Sequence, residues 1–290
     1  MFFLKHLNNF IIGLKLVLIG SMLVLNGSIN SMQPALNTLL KPIILLDTKT
    51  GKLIIPACFK HVKLDIGLSY NAPMSQQWLS HEQDLLVFGF EPNPAAVDLI
   101  LQGAQKKEPQ HGDPLDPKFI GKNFFLIPCA LGLTGNCMAK FYVTSDDCGC
   151  SSLYEPKGFG IERVIDVPVF TLADFFAIFP FNTHPVIDYI KVDAQGSDLD
   201  IIKSAKHYLK EHVIYITIEA ENELYAQTNN SVSAINKYMR EIGFVPIQEI
   251  SQYMDGFEPL KTSSTCDPTY FNPKFSAYIK DHPVQIYQRG

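Results

Sequence analysis

A doubly wound α/β fold, with a mostly parallel sheet and a small β insertion, follows from three features of the sequence. Short apolar runs alternate with stretches of helical apolar spacing from about residue 60 onward. The runs Leu85 to Phe90 and Val213 to Ile218 are apolar almost throughout, as strands covered on both faces must be. Regular alternation is interrupted once, between about 131 and 170, by strand-like pieces without an intervening helix. Strand–helix alternation of this length implies helices on both faces of one sheet, wound by right-handed crossovers.

Each element can be justified in order. His61 to Ile66 reads as the first strand and ends in Asp65-Ile66-Gly67. Pro73 suits the first turn of a helix over Met74 to His81. Leu85 to Phe90 is a strand closed by Glu91-Pro92-Asn93-Pro94, and Ala95 to Gln105 places Ala96, Leu99, Ile100 and Gly103 on one helical face. Residues 107 to 121 form a loop before the strand Phe124 to Ile127. Gly135-Asn136, between Leu131 and Met138 to Thr144, predicts a hairpin, and Val164 to Phe170 adds a further strand. Thr171 caps a short helix through the Asp174 backbone N–H. Val186 to Val192 is a strand. Ser197 is expected to cap a helix reaching about Leu209, and Val213 to Ile218 is the next strand. Ser231 to Ile242 is a helix stopped by Gly243. Phe244 to Ile250 and Tyr270 to Ile279 are expected as closing strands.

The first thirty residues have another purpose. Lys5 and His6 precede an apolar run, Ile11 to Leu25, closed by Asn26, Gly27 and Ser28. That order is a secretory signal or an uncleaved signal anchor, so membrane attachment or export is expected. Residues 31–60 read as a linker or N-terminal extension. The chain of 290 residues carries 18% charged residues and a net charge of −5, which argues against a nucleic-acid partner. Cys58, Cys129 and Cys137 are expected in the core. Cys148 and Cys150 are too close for an easy mutual bridge.

In an open α/β sheet, ligands bind beyond the C-terminal strand ends. The residues there are Asp65, Glu91, Cys129, Asp193 and Glu219, four of them acidic. A carboxylate in the place of Glu91 can accept hydrogen bonds from both ribose hydroxyls of a nucleoside. The first turn, Asp65-Ile66-Gly67-Leu68-Ser69-Tyr70-Asn71, lacks the glycine series that cradles a pyrophosphate. A nucleoside without phosphates and with a cationic amino-acid end, S-adenosylmethionine, suits it better. Gly67 would let the backbone approach the ligand, and Asp65 would face its positive end.

Four blocks carry a resemblance: Leu64-Asp65-Ile66-Gly67, Phe90-Glu91-Pro92-Asn93-Pro94, Pro128-Cys129-Ala130-Leu131-Gly132, and Ile187 through Ile190-Lys191-Val192-Asp193-Ala194-Gln195-Gly196 to Asp198. Together they resemble the FkbM-type methyltransferases over about residues 61 to 272. The resemblance implies a class I, Rossmann-like fold with a seven-stranded sheet whose final strand is antiparallel, near Cys266 to Asn272, within a methyltransferase-like domain spanning 61–280. It implies S-adenosylmethionine as cofactor, bound by Asp65, Gly67, Ser69, Asn71, Glu91, Asn93, Cys129 and Ala130. It also implies O-methylation of a sugar, glycan or small-metabolite hydroxyl. The family usually has Asn and Gly where Ser69 and Asn71 stand, and Glu where Gln195 stands.

Transfer to an alcohol needs a base late in the step, and Asp193 is the expected one, with His184 a second candidate. Asp193 and Glu219, with Glu221 or Asn222, are also oxygen donors of the kind that hold Mg²⁺. The loop Ser145 to Ser152 is expected over the pocket, and Tyr142, Tyr154, Phe159 and Phe170 could stack on a sugar. Two other readings share these residues: an anchored glycosyltransferase-like enzyme using Asp146-Asp147, and a methyltransferase fold that binds without catalysis.

Overall fold

In the computed structural model, the described residues are 45–47, 49–103, 113–145, 148–221, 224–253 and 267–281. The expected signal segment lies outside them. Among the described residues no helix is long and apolar enough to cross a membrane. At the N-terminal edge β1 (Leu45–Leu46) pairs antiparallel with β2 (Leu53–Ile54). Leu53, Ile55 and Phe59 then bury their side chains in the main core.

The main chain path is β3 (His61–Ile66), α1 (Pro73–His81), β4 (Leu85–Phe90), α2 (Pro94–Gln102) and β5 (Phe124–Ile127). The insertion follows as β6 (Ala130–Leu131), β7 (Cys137–Thr144) and β8 (Ile161–Phe170). Alternation resumes with α3 (Leu172–Ile178), β9 (Ile187–Val192), α4 (Asp198–Ser204), α5 (Lys206–His212), β10 (Val213–Ile218) and α6 (Val232–Glu241). The chain closes with β11 (Val245–Pro246), β12 (Thr269–Phe271) and α7 (Ser276–Asp281).

Seven strands form one sheet in the order β11-β12-β10-β9-β3-β4-β5. The pairs from β5 to β10 are parallel, while β12 runs antiparallel to both β10 and β11, so the sheet is mixed rather than wholly parallel. The chain starts in the middle, runs outward through β4 and β5, then returns to β9 on the other side of β3. That reversal is the switch point at which open sheets bind ligands. Helices cover both faces. Phe175, Ile202, Leu209, Ile235 and Met239 from α3 to α6 pack in one cluster; Trp78, Ile100 and Ile279 from α1, α2 and α7, with Phe275 from the turn before α7, pack in the other. Every residue of β4 and β9 is buried, which explains their unbroken apolar character and makes Asp188 and Lys191 informative.

Several elements depart from the sequence reading. Leu131 and Met138 do not flank a hairpin: β6 pairs parallel and β7 antiparallel with β8, which lies between them. The turn through Gly135 wraps the end of β8, with Gly132 N–H donating to the Phe170 carbonyl at 2.9 Å. A Cβ on Gly135 would stand 2.6 Å from the Thr171 nitrogen, so the wrap requires glycine. The helix after Ser197 breaks at Ala205 into α4 and α5, and the Ser197 side chain makes no capping bond. Asn230 Oδ1 instead accepts from the Leu199 N–H at 3.0 Å, while Asp198 accepts from the Ala194 and Gly196 N–H groups of the preceding turn. The closing strands are shorter than expected. Pro246 ends β11, and 247–252 coil into a 3₁₀ turn. Asn272 and Pro273 end β12 by starting another turn, so 273–281 are helical. Neither proline can donate to a ladder. By contrast Thr171 forms a full capping box with Asp174, and Ser231 caps α6.

Among the described cysteines Cys129 is buried in the core, Cys58 and Cys137 are exposed rather than in the core, and all three are free thiols, as is Cys150. The Cys148 and Cys266 side chains lie outside the described residues.

Candidate functional site

A cavity of about 760 Å³ opens at the C-terminal tips of β3, β4, β9 and β10 and is closed on one side by the insertion. The turn after β3 supplies Gly67, Ser69 and Asn71 to its wall. Gly67, Ser69 and Ala72 all have left-handed backbone, with φ of 81°, 55° and 46°. The glycine is demanded by the neighbouring strand more than by any ligand: its Cβ would stand 1.8 Å from the Asp193 carbonyl oxygen. The tip of β3 is gripped on both sides, by Gly67 N–H donating to Phe90 O and by Asp193 N–H donating to Ile66 O, each at 3.0 Å.

Asp65 does not line the cavity. It is 1% exposed, and its Oδ2 accepts from the Ser75 hydroxyl at 2.6 Å and the Ser75 N–H at 3.1 Å. Its Oδ1 lies 3.5 Å from Lys191 Nζ. Alternation along the strand turns its side chain into the sheet face beneath α1, where it anchors that helix.

Glu91 does line the cavity, although the residue is only 5% exposed. Oε1 accepts from the Asn93 N–H at 2.8 Å. Burial lifts its carboxyl from the usual value to about 7, against the lowering effect of the Asn93, Ser69 and Leu68 N–H groups. Asn93 is the N-cap of α2, accepting from Ala95 N–H, and its amide donates to the Tyr70 hydroxyl at 3.3 Å. Cys129, Ala130 and Leu131 form an apolar wall beyond them. Burial in that wall raises the Cys129 thiol far above its ordinary range, so it is a neutral packing group here.

Asp193 and Glu219 meet at the tips of β9 and β10. Gln195 lies between them: its Nε2 donates to Asp193 Oδ1 at 2.7 Å and to Glu219 Oε2. Lys191 donates to the Gly67 carbonyl at 2.7 Å and stands 3.2 Å from Asp193 Oδ2. Burial, then the Asp193 charge, holds the Glu219 carboxyl well above the carboxylate range. Burial followed by the nearby Asp198 and Asp193 charges lifts Glu221 to about 8, and its Oε2 has no hydrogen-bond partner among the described residues. Ser197, also at the cavity, is in the same position through Oγ.

The metal expectation is not supported. Among the described residues no group of three or more His, Cys, Asp or Glu side chains is placed to hold a metal ion. Asp193 and Glu219 are instead bridged by an amide, which donates to one oxygen of each carboxylate. Asn222 and Asp146-Asp147 lie outside the described residues. His184 lies away from the cavity, with Nε2 3.1 Å from the Phe59 carbonyl and Nδ1 3.1 Å from the Thr183 hydroxyl.

The insertion brings Gly149, Cys150, Ser151 and Leu153 to the cavity, as its position before Ser152 suggests. Tyr142, Tyr154, Phe159 and Phe170 do not line it; Tyr70, Phe90 and Phe141 are the aromatic residues that do. Tyr154 is committed to Asp200, and Phe170 lies in the core. Sequence reasoning passed over Gln195, Lys191 and Tyr225 as site residues. Gln195 carried a signal, being a departure from a family pattern next to the expected base.

No curated protein and no solved structure matches the chain significantly. The family model of the methyltransferase FkbM domain matches residues 79–246, more than half of the sequence, and that span includes the tips of β4, β9 and β10. The chain therefore belongs to the FkbM methyltransferase domain family.

Proposed function

We propose that the protein is a class I, S-adenosylmethionine-dependent O-methyltransferase acting on a hydroxyl of a sugar, glycan or small metabolite. The strand order, with β3 central and an antiparallel β12 second from the edge, supports the class I assignment. The residues present fit the cofactor. A buried carboxylate, Glu91, stands at a strand tip beside an apolar wall, and two polar atoms of the cavity, Ser197 Oγ and Glu221 Oε2, await partners. When bound, the cofactor supplies a methyl group activated by a sulfonium.

The chain's own part is positioning. Glu91 accepts the ribose hydroxyls, with its carboxylate oriented by the Asn93 N–H. Cys129, Ala130 and Leu131 exclude water from a flat apolar group. The turn of Gly67, Ser69 and Asn71 shapes the wall for the amino-acid end. Asp193 receives the acceptor hydroxyl's proton. Lys191 Nζ stands 3.2 Å from its Oδ2. The observation that carries this reading is a single cavity joining Glu91 to Asp193 within a methyltransferase family domain.

Calorimetry of the full chain with S-adenosylmethionine and S-adenosylhomocysteine tests it. Binding of both is expected; silence with both overturns it. The proposal includes export or membrane attachment through residues 1–30. Fractionation that finds the intact chain away from membranes and the exported fraction removes that part.

A further inference from the structure

Two carboxylates that meet at a strand tip ordinarily settle their repulsion by sharing a proton, each turning an oxygen toward the other. Asp193 and Glu219 do make that contact, and burial together with it raises the Glu219 carboxyl. The chain adds an uncharged amide at this point. Gln195 Nε2 carries two hydrogens in one plane, and they go to different carboxylates, Asp193 Oδ1 at 2.7 Å and Glu219 Oε2.

The amide is held from every direction. Its Oε1 accepts from the Tyr225 hydroxyl at 2.6 Å, and its backbone carbonyl accepts from the Ser152 hydroxyl at 2.6 Å. Its backbone is left-handed, φ 53°, and Gly196 beside it leaves room for the Tyr225 ring, 3.0 Å from where a Cβ would stand. Tyr225, 2% exposed, also reaches the Cys150 carbonyl at 2.9 Å. In this orientation both amide hydrogens and the amide oxygen have partners. The surroundings are also unequal: Lys191 stands 3.2 Å from Asp193, while Glu219 is buried with Asp193, Asp198 and Glu221 as its charged neighbours.

We propose that Gln195 is the positioning residue of this site: its clamped carboxamide fixes the orientation of the Asp193 carboxylate at the cavity wall. Ser152 and Tyr225 tie that clamp to the insertion, so the wall that receives the acceptor and the base that deprotonates it are set by one side chain. The inference rests on the methyltransferase reading above.

The test compares two ligands that differ by one methyl group and one positive charge. Dissociation constants for S-adenosylmethionine and S-adenosylhomocysteine are measured by calorimetry on the wild-type chain and on Gln195→Leu and Tyr225→Phe. A clamp that holds a negative carboxylate near the methyl favours the sulfonium ligand. Gln195→Leu should therefore lower the preference for S-adenosylmethionine over S-adenosylhomocysteine about tenfold, the scale of a hydrogen bond to a charged group. Tyr225→Phe, which removes only the hydroxyl that orients the amide, should lower it less. Simple loosening of the site would weaken both ligands alike and leave the ratio unchanged. An unchanged ratio with both ligands bound overturns the inference and leaves the methyltransferase reading standing. No binding of either ligand by the wild type overturns both. If Gln195→Leu does not fold, Tyr225→Phe alone decides: a lowered ratio supports the clamp, and an unaltered one ends it.

Discussion

The two ends of the central strands use the same residue types for opposite purposes. At the N-terminal end, each buried acid has a cation. Asp188 Oδ1 lies 3.2 Å from His61 Nδ1 while its Oδ2 accepts from the Val62 N–H at 2.7 Å. Lys63, with no exposed side-chain surface, donates to Glu82 and lies 5.4 Å from the Trp78 ring. At the C-terminal end, Glu91, Asp193, Glu219 and Glu221 share one cavity whose wall, among the described residues, contains no Lys or Arg, and Lys191 approaches Asp193 and Asp65 while donating to the Gly67 carbonyl. Matched charges at one end resist separation and tie strand to strand. At the other end burial holds the Glu91, Glu219 and Glu221 carboxyls above the usual carboxylate range beside an open cavity. Perturbed carboxyls gathered in a cleft mark a functional site for that physical reason.

The contrast can be broken or sharpened by substitution. The largest effect belongs to Gly67, where the site end is pinned to the sheet. Gly67→Ala brings a Cβ into the Asp193 carbonyl at φ 81° and should cost about 4 kcal/mol in chemical denaturation. A loss under about 1 kcal/mol would show that the β3 and β9 tips slide apart easily. Next, Lys63→Met strands Glu82 at the matched end and should cost about 3 kcal/mol with cofactor affinity unchanged. A variant as stable as wild type would mean the pair there is ornamental.

Glu91→Ala should weaken cofactor binding by about 2 kcal/mol, read by calorimetry, with little change in stability. Its pH dependence follows from the carboxyl's position near 7. As pH falls through about 7 the group gains a proton, loses an acceptor for a ribose hydroxyl, and affinity should drop; Glu91→Gln should abolish that slope. A wild-type affinity flat between pH 6 and 8 would exclude Glu91 from the contact.

The smallest effect has the opposite sign. The folded chain keeps a proton on Glu221 up to about pH 8, whereas an unfolded glutamate releases it near 4.5. Raising the pH across that window therefore favours the unfolded state. Glu221→Gln should remove the penalty and stabilise the protein by about 1 kcal/mol at pH 8, and by less at pH 5. Destabilisation at pH 8 would place Glu221 with the matched acids instead. Removing an ionisable group is thus expected to weaken the end where it is paired, at Lys63, and to strengthen the end where burial opposes its charge, at Glu221.

Much of the fold is legible because its signals are local. Buried strands such as Leu85–Phe90 announce themselves by composition, and caps such as Thr171 and Ser231 by residue type one turn before the helix body. The insertion shows where locality fails. Gly135-Asn136 marks a turn correctly, yet β8, which follows by some twenty residues, slides between the two strands expected to pair. A turn signal reports that the chain bends, not which neighbour it meets afterwards. Asn272 and Pro273 carried enough information to end the last strand, and their role as a helix-turn start went unread.

By itself, the sequence determined which residues stand at strand tips: period and composition alone put Glu91, Asp193 and Glu219 there, and the family blocks agree. Only the tertiary structure decided which way each side chain faces and what it touches. Asp65 turns inward to Ser75, ten residues on, and Gln195 joins Asp193 to Glu219 and Tyr225 across two strands and a loop. The reason is reach. Propensity and periodicity act over a few residues, whereas a hydrogen bond between positions thirty apart exists only after packing has brought their strands side by side.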